Sequence, residues 1–133
     1  MSNNKTFGCV AGFTALTAMV TMMMASSVFA QEKVCVNLLV GAGYAAYLEV
    51  QVGSLPAKKT GSFPIGKQNC ITLSEIAPAG TTLNPGTPIV ATIHPYLGKA
   101  KACTPSSVPY DPERIDNLIY NAWGTTLNPS CSQ

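Results

Sequence analysis

Histidine and tryptophan each occur once in this chain, as His94 and Trp123, and only 11% of the residues are charged. One histidine leaves no multi-histidine metal site and a single candidate imidazole base. No C-x-x-C pair is present, which removes thioredoxin-type redox chemistry and haem attachment, and no cysteine neighbours His94 as a zinc site would need. A G-x-S-x-G elbow and a glycine-rich phosphate loop are missing as well, so the usual local signatures of acyl and phosphoryl transfer are lacking. Methionine does not occur after Met24.

That last absence marks a boundary. Residues 1–30 carry one cation, Lys5, then an apolar stretch from Phe7 to Met24, then Ala25-Ser26-Ser27-Val28-Phe29-Ala30. Val28 and Ala30, three and one positions before Gln31, fit the small-residue requirement of a signal peptidase. Gly8, Gly12 and several threonines interrupt the run, which favours a signal peptide cleaved after Ala30 over a retained anchor. Cys9 leaves with it. The expected exported chain, 31–133, has 103 residues, the length of one domain. It carries seven Lys/Arg against six Asp/Glu. So even a balance argues against nucleic acid as partner and gives no reason to expect adhesion to an anionic membrane. No second stretch of spanning length follows, so a secreted or periplasmic product without a membrane span is expected.

Four cysteines remain: Cys35, Cys70, Cys103 and Cys131. An even number behind an export signal reads as two disulfides formed in an oxidising compartment. Three pairings are possible. The nearest-neighbour one, Cys35 with Cys70 and Cys103 with Cys131, is favoured because it ties the C-terminal tail to the body.

Periodicity favours strands. Leu48, Val50 and Val52 alternate with Tyr47, Glu49 and Gln51, and Ile89, Ala91 and Ile93 alternate with Val90, Thr92 and His94. Val34 to Val40 reads as a strand buried on both sides. Shorter candidates are Ile71 to Ser74, Gly98 to Cys103 and Leu118 to Leu127. Ten prolines and many glycines punctuate these runs. The pattern predicts a mainly β fold, a small antiparallel β-sandwich of six or seven strands, Ig-like or Greek-key, with two disulfides. Only Pro112 to Ile119 is predicted to make a helical turn, capped by Asp111. Lys99 and Lys101 read as protection of a strand edge.

Gly80-Thr81-Thr82-Leu83-Asn84-Pro85 recurs as Gly124-Thr125-Thr126-Leu127-Asn128-Pro129. Two threonines and a leucine favour extension, and Asn-Pro then turns the chain. Both copies read as strand-end geometry, with a pair of equivalent ligand-facing loops as the alternative. In a strand over 118–127, Tyr120 and Trp123 point to opposite faces. A small sandwich centred on its only tryptophan would bury Trp123. If it instead faces outward with Ile119 and Asn121, the segment between Cys103 and Cys131 gains a contact surface for a protein or carbohydrate: Trp123 with Tyr110, Asp111, Thr125, Thr126 and Asn128.

Chemistry finds little support. A relay of His94 with Asp111 or Asp116 has no local motif behind it, and Glu49 and Glu75 sit in separate strands. Asp111, Glu113, Asp116 and Asn117 offer oxygen ligands, but without the glycine and terminal glutamate of a calcium loop they read as a solvated turn. No catalytic residue, cofactor or metal site is therefore assigned. The sequence reads as an exported non-enzymatic module with a binding or structural role in the cell envelope or outside the cell. The alternative is a secreted inhibitor of a hydrolase, presenting residues 104–112 as a braced loop; a small hydrolase ranks third.

Overall fold

The computed structural model describes residues 33–114 and 116–133; the expected leader and the cleavage point after Ala30 lie outside them. In chain order the elements are β1 (Lys33–Leu38), β2 (Ala46–Val52), β3 (Lys58–Lys59), β4 (Gln68–Thr72), α1 (Leu73–Ile76), β5 (Pro88–Pro95), β6 (Lys101–Ala102), β7 (Val108–Pro109), β8 (Leu118–Gly124) and β9 (Pro129–Ser132). They form two sheets, one ordered β4-β1-β8-β9 and the other β3-β2-β5-β6, with β7 also paired to β5. The protein is a mainly β sandwich with two disulfides, with nine strands among the described residues rather than six or seven. The three that were not anticipated are β3 and β7, two-residue pieces too short to show an alternating pattern, and the four-residue β9, which opens on Pro129.

Alternation decides which side each long strand buries. Leu48, Val50 and Val52 of β2 and Ile89, Ala91 and Ile93 of β5 face inward, where they meet Val34, Val36 and Leu38 of β1 and Leu118, Tyr120 and Ala122 of β8. Each large apolar side chain removed from water in this way contributes roughly 2 kcal/mol. The parallel pairing of β1 with β8, Val36 opposite Tyr120, departs from the purely antiparallel arrangement expected. Alternation alone does not encode strand direction.

Four local expectations change. Trp123 is not the centre of the core. It is 41% exposed, and Tyr120 is fully buried in its place, since Leu118 and Ala122 share Tyr120's face. The first strand ends at Leu38, and Leu39 and Val40 face solvent. The Leu39 amide still reaches Ala122 O, but a turn through Val40 and Gly41, closed by the Ala42 amide on Leu39 O, then takes the chain away from the ladder. Helix occurs at Leu73–Ile76 rather than after Pro112, where Pro112 and Glu113 form only a turn. Its signal was the Thr72-Leu73-Ser74-Glu75 spacing of a capping box, in which Glu75 Oε2 accepts the Thr72 amide at 2.9 Å. Lastly, the strand expected over 98–103 shrinks to β6, leaving Lys99 in a loop.

The disulfides pair as favoured, Cys35 with Cys70 and Cys103 with Cys131. Cys35 and Cys70 sit opposite each other on β1 and β4 and staple one sheet. Cys103 follows β6 and Cys131 lies in β9, so the second bridge joins the two sheets. With sequence separations of 35 and 28 residues, each closes a loop worth about 3.5 kcal/mol in the chain-entropy account.

Candidate interaction surface

Strand directions sort the loops into two ends. β1, β5 and β8 run toward one end, and β2, β4, β6 and β9 return from it, so residues 39–45, 60–67, 96–100 and 125–128 gather there. Backbone hydrogen bonds lock these four loops together. The Gly43 amide donates to Gly124 O at 3.0 Å, Tyr96 to Ala45 O at 2.7 Å, Lys99 to Thr126 O at 2.9 Å and Gly66 to Leu38 O at 2.7 Å. Gly98 is required by this closeness, because a Cβ there would collide with the Thr126 carbonyl.

The loop tips are apolar. Among the described residues eight large hydrophobic side chains are exposed: Leu39, Val40, Ile65, Tyr96, Leu97, Ile119, Trp123 and Leu127. Only Ile119 lies away from this end. Val40 is 89% and Leu97 88% exposed, values that no packing role explains. Leu97 also sits at φ 57°, in the left-handed region that costs a branched side chain about 1–2 kcal/mol. Trp123 is held from behind: the buried Tyr44 donates its hydroxyl to Trp123 O at 2.9 Å. Burial raises the Tyr44 phenol above its ordinary pKa.

Charge is segregated along the same axis. The loop end carries Lys67 and Lys99, with Lys101 at the adjoining start of β6, and has no Asp or Glu. Glu75, Asp111, Glu113 and Asp116 all lie toward the opposite end, with Lys33 and Arg114. Near-neutral totals concealed this polarity.

The residues anticipated for a contact surface fall into two groups. Trp123, Thr125, Thr126 and Asn128 share the β8–β9 hairpin at the loop end, where the Asn128 amide donates to Thr125 Oγ1. Tyr110 is buried in the core at the other end, its amide bonded to Thr87 O, and the exposed Asp111 follows it. The hexamers are likewise separated. The first precedes β5, with Thr87 donating to Asn84 O, and the second contacts Lys99 beyond the end of β5. The length of β5 puts them about 23 Å apart. Leu83 is buried whereas Leu127 is 64% exposed, so the two copies are not equivalent loops. Sequence reasoning missed Val40, Ile65, Tyr96 and Leu97. Their signal was apolar residues set directly beside turn-forming glycine and proline.

His94 lies elsewhere, on the outer face of β5. Its ring stacks on Tyr47 at 4.6 Å between centroids, and its Nε2 faces Glu49 Oε2 at 3.6 Å. Glu49 also pairs with Lys59 at 3.1 Å, and that carboxylate holds the lysine ammonium above its ordinary pKa. Asp111 joins the chain just beyond the partner of Pro88, which places it about 20 Å along β5 from His94. The relay considered from sequence is therefore not assembled. Asp111 Oδ1 accepts the Glu113 amide at 2.9 Å, forming an Asx-type turn. Among the described residues no three His, Cys, Asp or Glu side chains gather as a metal site, and no helix is long and apolar enough to cross a membrane. No family model, curated protein or solved structure matches the chain.

Proposed function

We propose that this chain is a non-enzymatic module, exported to the periplasm or beyond, that works by contact through its loop end. The observation that carries this reading is the crowding of exposed apolar side chains onto four hydrogen-bonded loops at one end of the sandwich. Solvent-facing patches of this kind mark interaction sites. Loops already fixed to one another lose little ordering entropy on binding. The two disulfides suit an oxidising compartment and brace the sheets that carry the loops.

Retention on the cell envelope tests it. Wild-type protein should sediment with an envelope fraction, and a Val40→Asp/Leu97→Asp variant should be released. A Ser74→Asp/Ser106→Asp variant, altered at the far end, should stay bound. Equal retention of all three proteins would remove the loop end from the account.

A further inference from the structure

We infer that the partner of the loop end is an anionic phospholipid surface, a deepening that rests on the contact role proposed above. Three observations converge. First, the exposed apolar groups sit on the tips of separate loops: Val40, Ile65, Leu97 and Leu127 come from four different connections, and an open cleft among them, lined by Leu39, Val40, Gly66 and Lys67, takes in only the first of these four side chains. Tips of this kind can each enter the acyl boundary of a bilayer without displacing the others, whereas a small ligand needs walls around it. Second, Trp123 and Tyr96 accompany them, and these amphipathic rings favour the headgroup level. Third, Lys67, Lys99 and Lys101 accompany these apolar groups with no carboxylate among them, while Glu75, Asp111, Glu113 and Asp116 lie toward the far end and Glu49, in mid-strand, is paired with Lys59. An anionic surface therefore attracts one end and repels the other, orienting the molecule before contact. Each lysine near such a surface strengthens partitioning by about fivefold. The balanced total charge gave no sign of this, because the interaction depends on the local field within a Debye length.

Trp123 is the only tryptophan, so its emission reports directly from the proposed contact. Purified protein would be mixed with vesicles of phosphatidylcholine containing 30% phosphatidylglycerol, or of phosphatidylcholine alone, and followed by emission and co-sedimentation. The protein is used as the cell exports it, and variants and wild type carry the same N-terminus, so differences between them arise from the substituted residues. The inference predicts a blue shift and sedimentation with the anionic vesicles, and at least tenfold weaker association with the neutral ones. It also predicts at least tenfold loss for Val40→Asp/Leu97→Asp and about fivefold loss for Lys99→Gln, with circular dichroism unchanged. Association that ignores lipid charge or these substitutions would overturn it. So would no association with anionic vesicles. If envelope retention is then still lost in Val40→Asp/Leu97→Asp, the loop end remains a contact surface, with a protein or glycan as its partner. If retention is also unaffected, both readings fail.

Discussion

Tyr44 and Trp123 are joined by a 2.9 Å hydrogen bond from the phenol of one to the backbone carbonyl of the other, so a buried ring in the β1–β2 loop braces the strand that presents an exposed indole. The contact connects the core to the loop end. Tyr44→Phe keeps the packing and removes the bond, and should cost about 1 kcal/mol of stability. Urea denaturation of the two proteins would measure the difference.

Two leucines in identical hexamers should respond differently to the same substitution. Leu83 packs into the core, so Leu83→Ala should destabilise by about 2–3 kcal/mol through lost transfer energy and the cavity left behind. Leu127 is 64% exposed, so Leu127→Ala should change stability by about 0.5 kcal/mol or less. Matching effects would contradict the separate environments found for the two copies.

Much of the sandwich was legible in the sequence because alternation is a local signal. Tyr47 to Val52 and Ile89 to His94 emerge as strands with the faces anticipated, and the cysteine spacing favoured the pairing that forms. What escaped depends on neighbours far away in the chain. The identity of Val40 as a loop tip is set by where the β1 ladder stops, and that is fixed partly by the Gly66 amide bonding Leu38 O. Trp123 faces outward because Leu118, Tyr120 and Ala122 together claim the inner face, an outcome that a preference for burying the single tryptophan could not weigh. The charge polarity was invisible for a similar reason: it needs strand direction, and the parallel β1–β8 pair has no periodic signature.

Alkaline pH should weaken the fold. Burial raises the phenol pKa of both Tyr44 and Tyr120 above 10.0, and for Tyr120 the nearby Gln133 side chain offsets part of that rise. In the unfolded chain these phenols ionise near their ordinary value, so unfolding releases protons once the pH passes it. Stability is therefore retained below about pH 10 and falls as the pH climbs toward the raised folded-state values. Lys59 acts in the same direction, since its bond to Glu49 is lost as the ammonium deprotonates. Urea midpoints measured from pH 8 to 11.5 should be level at first and then decline, and Tyr120→Phe should make the decline shallower.

Leu97 offers a test of strain held at a contact surface. At φ 57° a glycine is relaxed where leucine is not, so Leu97→Gly should raise stability by about 0.5–1 kcal/mol after its own chain-entropy penalty. The same change removes one of the two most exposed loop tips and should weaken envelope retention. Thermal denaturation and sedimentation on one variant would show whether stability rises as contact is lost. A fall in both would make Leu97 a structural residue.

Hydrogen exchange resolved along the chain, with and without the envelope fraction, tests the contact surface most directly. Slowed exchange confined to residues 39–45, 60–67, 96–100 and 125–128, with residues 73–87 and 104–114 unchanged, is the predicted footprint. Protection at the acidic end, or none anywhere on the sandwich while the protein remains bound, would contradict a contact role for the loop end.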